Sequence, residues 1–328
     1  MNYAKERDIA NKKKLKAKII AFIIVAVFLF AVSVFSWFVP METWKYYVSL
    51  PNIPKRADGS LRIHYIDVGQ GDATLVEFPD GKTLLIDGGD DLQSHKTTLI
   101  RYMNALKVDA IDYLVVTHAD ADHVGGLDSV IRYKDIKTAF LPERVEDSAQ
   151  YDEVEKSLSK QNCEVKKTER TRLENGAYTL SILYPYHDSA STEVQDDNEL
   201  SAIVWLEYQG VGALFMGDAP NAVEDVLVDE DKRGLLREFV SSLRGTEILK
   251  VAHHGAGSST GESFMEYLQT KTAVISCGKN NAYGHPADKT LQTLADREIS
   301  VYRTDEQGHI VVTIEKDCAE YTVQTIEN

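Results

Sequence analysis

The sequence predicts an α/β fold, an αββα sandwich of two sheets with helices outside both, preceded by one N-terminal transmembrane helix. Three features of the 328-residue chain lead there. An uncharged apolar run lies near the N-terminus. A cluster of short β-type runs separated by turn signals follows it. Strand and helix patterns then alternate through both halves, as expected when helices cover the outer faces of two packed sheets.

The apolar run is Ile19–Val39, 21 residues rich in Ile, Val, Phe and Ala with no charge. A bilayer core needs about 20 apolar residues in a helix. Lys5, Arg7, Lys12, Lys13, Lys14, Lys16 and Lys18 precede it, against Glu6 and Asp8. That basic excess keeps the N-terminus in the cytoplasm. A cleaved signal peptide would carry an apolar stretch of about 7–15 residues and a small-x-small site. Here the run is longer, and Ser36-Trp37-Phe38-Val39-Pro40 is a poor site. Trp37, Trp44, Tyr46 and Tyr47 read as an interfacial aromatic belt.

The expected organisation is therefore a basic cytoplasmic tail over residues 1–18 and a single-pass membrane anchor over 19–39. A linker over 40–60 follows, marked by Pro40, Pro51, Pro54 and Asp58-Gly59, and then one extracytoplasmic domain over 61–328. The tail carries a net +5 within a chain of net −15, which leaves the remainder at −20. A general nucleic-acid-binding surface is basic, so any nuclease activity must rest on a local site. Cys163, Cys277 and Cys318 are too few and too far apart for a disulfide framework.

Within the domain, Leu61–Val68, Ala73–Phe78 and Lys82–Ile86 read as strands separated by Gly69-Gln70-Gly71-Asp72 and Pro79-Asp80-Gly81. Thr97–Leu106 has helical spacing of Leu99, Ile100, Met103 and Leu106. Strands at Ile111–Val116 and Ile136–Leu141 alternate with helices at Val124–Tyr133 and Tyr151–Gln161. A β-rich middle covers Ala177–Leu183, Ser201–Tyr208 and Ala213–Met216. Helices follow at Asn221–Val228 and near Lys232–Leu243, then strand Ile248–Ala252, helix Ser263–Leu268 and strand Thr272–Ser276. Helix Lys289–Ala295 and strands Ser300–Tyr302 and His309–Ile314 complete the order.

The strongest chemical signal is Thr117-His118-Ala119-Asp120-Ala121-Asp122-His123-Val124-Gly125-Gly126, entered from the apolar strand Leu114-Val115-Val116. Four potential metal ligands, His118, Asp120, Asp122 and His123, fall within six residues. Extended spacing places His118, Asp120 and Asp122 on one side, and a turn brings His123 inward. A helix cap at Asp122 explains one carboxylate. It leaves unexplained two histidines and two aspartates beside a buried strand, where burial is costly without a metal or a partner. Asp218 follows strand Ala213–Met216. Of His253-His254, one side chain faces the site if strand alternation holds, with His253 preferred as ligand and His254 as a substrate contact. His285, before Pro286, is either a ligand or a donor to a substrate oxygen. His64, His95 and His309 carry no motif and are expected to be structural or surface residues.

These blocks resemble the metallo-β-lactamase superfamily, with Asp120 at the second histidine of its His-x-His-x-Asp-His motif. The substitution is similar to the soluble domain of the ComEC competence family. The supporting blocks are Ile66-Asp67-Val68-Gly69-Gln70-Gly71-Asp72-Ala73, Leu85-Ile86-Asp87-Gly88-Gly89, Phe215-Met216-Gly217-Asp218, Leu249-Lys250-Val251-Ala252-His253-His254-Gly255 and Tyr283-Gly284-His285-Pro286. That family carries a multi-spanning channel, whereas one apolar run long enough to span a membrane is read in these 328 residues. The resemblance implies two divalent cations, Mn²⁺ or Zn²⁺. His118, Asp120 and one of His253 and His254 would hold one. Asp122 and His123, with or without His285, would hold the other, and Asp218 would bridge. Asp122, His254 and His285 are the expected catalytic residues. Asp67, Gln70 and Asp72 are placed at the rim, Asp87 beneath the site, and Asn198 or Ser201 facing it. The superfamily's further histidine has His187 as its candidate here, outside any matching block.

Two cations at such a cluster lower the pKa of bound water and clamp an oxyanion, so the expected reaction is hydrolysis. A phosphodiester, DNA included, is the first expectation. A small or cell-wall ester of the phosphorylcholine type and a non-catalytic module of a DNA-uptake machine are the rivals. No protein partner is indicated.

Overall fold

The structure, a computed structural model, describes residues 2–38, 40–186 and 196–327. It divides into two compact units, Met1–Val48 and Ser49–Asn328. In the first, helix α1 (Asn2–Phe38) is followed by a short 3-10 turn, Met41–Tyr46. The stretch Arg7–Phe38 is long and apolar enough to cross a membrane. Phe22, Ile24, Phe28 and Phe30 along it are exposed, as a lipid-facing helix requires. Val39, the expected end of the anchor, lies outside the described residues, as does His187.

The second unit begins with strands β1 (Leu61–Tyr65), β2 (Thr74–Glu77) and β3 (Thr83–Ile86), then helix α2 (Gln93–Leu106) and β4 (Ala110–Val115). Helices α3 (Ala121–Val124) and α4 (Leu127–Tyr133) lead to β5 (Asp135–Leu141), α5 (Ala149–Leu158) and β6 (Glu164–Lys167). Strands β7 (Thr171–Asn175), β8 (Tyr178–Tyr184), β9 (Ile203–Tyr208) and β10 (Val211–Phe215) precede α6 (Asn221–Lys232) and β11 (Ile248–Lys250). Then come α7 (Glu262–Leu268), β12 (Thr272–Ile275), α8 (Asp288–Ala295), β13 (Ser300–Arg303), α9 (Thr304–Gln307), β14 (His309–Ile314) and β15 (Tyr321–Ile326).

The strands form two sheets, in the orders β15-β14-β1-β2-β3-β4-β5-β6 and β13-β12-β11-β10-β9-β8-β7. Their inner faces bury one core, in which Leu61, Ile63, Tyr65 and Val76 of the first sheet meet Val204, Leu206, Ala213 and Phe215 of the second. A second core packs Leu214, Leu249 and Ala273, on the outer face of the second sheet, against Val223, Leu227, Phe264, Leu268 and Leu294 of α6, α7 and α8. Burying each such aliphatic or aromatic side chain contributes about 1.5–3 kcal/mol. β3, β4, β5 and β6 run parallel to one another, and so do β10 to β13. The loops after β4, β10, β11 and β12 carry His118–His123, Asp218, His253-His254 and His285.

Some boundaries differ from the sequence reading, each for a physical reason. The helix expected near 232–243 is absent. α6 runs on to Lys232, and Gly234 at φ +75° turns the chain away. Leu236, Val240 and Leu243 are buried all the same, which is what gave that stretch its helical spacing. The helix expected over 124–133 is broken after α3. A Cβ on Gly126 would lie 2.0 Å from the Gly88 carbonyl oxygen, so the turn packs backbone on backbone there. The strand expected over 248–252 ends at Lys250. Ala252–Gly255 is a tight turn in which His253 and His254 both adopt left-handed φ values, 50° and 53°. Strand alternation accordingly does not apply to this pair.

Candidate metal centre

The centre grows from the loop after β4. Asp87, at the end of β3 with φ +59°, is fully buried. Its Oδ1 accepts the Thr117 backbone N–H at 2.8 Å, and its Oδ2 accepts the Thr117 hydroxyl at 2.6 Å. Oδ2 also accepts the His123 Nδ1–H at 2.8 Å. This places a proton of His123 on Nδ1 and directs Nε2 toward the centre. Asp87 thus ties Thr117 and His123 together from beneath. On the other side, the Asp72 N–H donates to the Asp122 carbonyl oxygen at 3.1 Å. Gly71, at φ +127°, makes this possible, because a Cβ there would lie 2.2 Å from that oxygen.

Seven side chains converge in front of this frame. Asp218 is the hub. Its Oδ1 lies 3.3 Å from His123 Nε2, and its Oδ2 lies 4.0 Å from His118 Nε2, 3.7 Å from His253 Nε2 and 3.5 Å from His254 Nε2. His118 Nε2 is also 3.5 Å from Asp120 Oδ2, and His254 Nε2 is 3.1 Å from Asp122 Oδ2. All six residues expected to hold metal are therefore brought together. His254, expected to contact substrate, lies among them as well. His254 Nδ1 is 2.9 Å from the Ser276 carbonyl oxygen, so that nitrogen carries the proton and Nε2 faces the carboxylates.

The donor set fits divalent cations. His118 Nε2, His123 Nε2 and Asp218 Oδ1 are buried and have no hydrogen-bond partner among the described residues. Buried polar atoms are normally satisfied. Three unsatisfied lone-pair donors aimed at one another are explained by a metal. Asp72, His123, Asp218 and His254 also offer ligand atoms all within 4.8 Å of one another. The charges agree. Burial would push the Asp218 carboxyl up, but His123, His254 and His118 hold it well below the usual range. Asp122 is held low in the same way, burial being outweighed by His254 and His123. The His118 imidazole, 3.5 Å from Asp120 Oδ2, lowers Asp120.

The remaining expected residues form the surround. Asp67 accepts the Gly69 N–H at 3.0 Å, and its own N–H donates to His309 Nδ1 at 2.9 Å. Gln70 Oε1 accepts the Gly278 N–H at 3.1 Å, tying the two rim loops together. Ser201 Oγ accepts the Asp218 N–H at 3.0 Å and so positions the hub. The Oδ1 of Asn198 is buried and has no hydrogen-bond partner among the described residues. The His285 ring is 5.5 Å from that of His253 and 6.3 Å from that of His254. Its pKa is lowered by burial and by those two neighbours.

Lys250 was not singled out by the sequence reading. Only 2% exposed, it pairs with the buried Asp72, whose Oδ1 lies 3.3 Å from His254 Nδ1. The available signal was a lysine inside the apolar run Ile248-Leu249-Lys250-Val251-Ala252. Thr117 acts through hydrogen bonds to Asp87, 30 residues away, and Asn281 through bonds within its own loop, and neither role leaves a mark on the sequence pattern.

Comparison with known proteins agrees with this geometry. The model of the metallo-beta-lactamase superfamily matches residues 66–279. ComE operon protein 3 of Bacillus subtilis is 30% identical over 264 residues, 76% of this chain and 32% of its own length. Recombination protein 2 of Haemophilus influenzae is 23% identical over 258 residues, 78% of this chain and 29% of its own. The chain spans about a third of the length of these curated relatives. The metallo-beta-lactamase fold protein YhfI of Bacillus subtilis superposes with a TM-score of 0.50 at 12% identity, covering 78% of this chain and all of that one, a likeness of fold.

Proposed function

The chain belongs to the metallo-β-lactamase superfamily, and we propose that it is a membrane-anchored, metal-dependent phosphodiester hydrolase whose domain lies outside the cytoplasm. The observation that carries this reading is the set of buried, unpartnered atoms His118 Nε2, His123 Nε2 and Asp218 Oδ1. One cation, Mn²⁺ or Zn²⁺, would be held by His118, Asp120 and His253. A second would be held by Asp122, His123 and His254, with Asp218 shared between them. When bound, such ions polarise a phosphoryl oxygen and make water acidic enough to attack near neutral pH.

The chain's own residues supply the rest. Asp87 and Ser276 hold the Nδ1–H of His123 and His254, so Nε2 of each is directed at the centre and would take a cation in exchange for its proton. Ser201 and the buried histidines hold Asp218 ionised and fixed. His285 stays neutral near pH 7, so one ring nitrogen donates to a non-bridging phosphoryl oxygen or to the departing alkoxide. DNA is the proposed substrate because two of the relatives carry the names ComE operon protein 3 and Recombination protein 2. The net charge of −20 outside the tail requires the contact to be local.

The test uses the full chain in detergent, stripped of metal and reloaded with Mn²⁺. Bis-p-nitrophenyl phosphate and single-stranded DNA are expected to be hydrolysed, and glycerophosphocholine spared. Hydrolysis of none of them refutes the reading, and cleavage of glycerophosphocholine alone transfers it to headgroup esters. Protease added to intact cells should remove the C-terminal domain, and full protection would refute the orientation.

A further inference from the structure

We propose that Tyr283 is a stacking platform for a nucleobase beside the scissile phosphodiester, so that the site grips single-stranded nucleic acid by its bases. This rests on the reading of the centre as a phosphodiester hydrolase. Tyr283 is 70% exposed, the most exposed large apolar side chain among the described residues of Ser49–Asn328. It is not a loose loop residue. Asn281 Oδ1 accepts the N–H groups of Tyr283 and His285 at 3.2 and 3.0 Å. Asn281 Nδ2 donates to the carbonyl oxygens of Gly278 and His285. The side chain of Asn281 thus staples the loop, and the Tyr283 ring is presented in a defined orientation.

That orientation leads to the metal centre. The Tyr283 ring lies at 24° to the His285 ring with centroids 5.8 Å apart, and His285 lies 5.5 Å from the ring of His253. One face of Tyr283 is backed by His285, and the high exposure of the ring leaves the other to solvent. A fixed aromatic face beside a phosphodiester site suits a base, because every base has a π-face to stack. Charge points the same way. On a domain of net −20, non-specific phosphate attraction is weak. Lys279 in the same loop is exposed and forms no ion pair among the described residues, which leaves a local cation for the backbone.

The experiment measures fluorescence anisotropy of the full chain in detergent with EDTA, which separates binding from turnover. The probes are labelled oligothymidylate and an abasic strand of equal length. Wild-type protein is expected to bind the base-bearing strand about fivefold or more tightly. Tyr283→Ala should erase that preference, and Tyr283→Trp should keep it. Affinity for oligothymidylate should fall less than about tenfold between 50 and 200 mM salt, where a protein making many phosphate contacts loses about 10³-fold or more. No base preference in the wild type, no binding of either strand, a steeper salt loss, an unchanged preference in Tyr283→Ala, or an equal loss for both strands would each overturn the platform. Equal loss would reveal that Tyr283 merely packs against His285. Base-dependent binding without cleavage on metal reloading would overturn the hydrolase reading and leave the platform standing.

Discussion

Asp87 Oδ2 accepts the Nδ1–H of His123 at 2.8 Å, and the same carboxylate holds the backbone and hydroxyl of Thr117. One buried side chain therefore sets both the ring orientation of His123 and the path of the loop that carries His118. Replacing such an outer partner typically costs 10–100-fold in metal affinity. Asp87→Ala should weaken Mn²⁺ binding by about that factor in a competition titration. Asp87→Asn, which keeps one acceptor, should lose less. Unchanged affinity in both variants would separate Asp87 from the metal centre.

Asp122 is 28% exposed in its side chain, and its hydrogen-bond partner is His254. Removing it opens no cavity in either core, so Asp122→Ala should keep the wild-type fold by circular dichroism. Its turnover of bis-p-nitrophenyl phosphate should fall by more than about 100-fold, beyond the effect of an outer partner. Wild-type turnover in this variant would refute the site assignment.

Lys250 and Asp72 are an ion pair sealed under the site. Removing one partner of a buried pair leaves an uncompensated charge and costs about 3–5 kcal/mol. Lys250→Met should lower the unfolding free energy of the domain by roughly that amount in urea, and a loss below about 1 kcal/mol would show the pair to be dispensable.

The sequence made the centre legible because its ligands sit in short local blocks at strand ends. His118 to His123 are read together, and Asp218, His253 and His285 each follow an apolar strand. It concealed the orientation of His254, because two successive left-handed residues break the alternation that a strand would impose. It also concealed three strands. β6 is Glu164-Val165-Lys166-Lys167, exposed throughout at the edge of its sheet, and β7 at the edge of the other is largely polar. β15 alternates half-buried with exposed residues. Edge strands carry charge to prevent pairing with other chains, which removes the apolar periodicity by which strands are recognised.

Glu224 on α6 is 1% exposed, and its carboxylate accepts the N–H groups of Thr260 and Gly261 at 2.6 and 2.9 Å. Burial raises its pKa from 4.5 to about 7 despite those two donors. A raised folded-state pKa favours the protonated form. The stability it supports is present in full below pH 4.5 and is lost as pH rises through about 7. At about 1.4 kcal/mol for each tenfold change in proton affinity, the loss is roughly 3 kcal/mol. Glu224→Gln mimics the protonated carboxyl and should flatten the stability curve between pH 5 and 7 in urea titrations. A curve of wild-type slope would show that Glu224 does not titrate in that window.

Metal choice should depend on Asp120. The proposed donors are the carboxylates of Asp120, Asp122 and Asp218 and the imidazoles of His118, His123, His253 and His254. Asp120 is the most open of them, with a side chain 46% exposed, and its Oδ2 lies 3.5 Å from His118 Nε2. Carboxylate ligands suit harder ions such as Mn²⁺, whereas imidazole also suits Zn²⁺. Zn²⁺ binds most such sites more tightly, so affinity alone does not decide which ion works. Activity does, because a phosphodiester needs open coordination positions that six-coordinate Mn²⁺ offers more readily than tetrahedral Zn²⁺. Metal-stripped protein should regain several-fold more phosphodiesterase activity with Mn²⁺ than with Zn²⁺. Asp120→His replaces an oxygen donor by nitrogen at one ligand, leaves His118 and Asp218 in place, and should shift the preference toward Zn²⁺. Activity of both proteins across a titration of each metal checks this. The same Mn²⁺-to-Zn²⁺ ratio before and after the substitution would show that Asp120 does not set the choice.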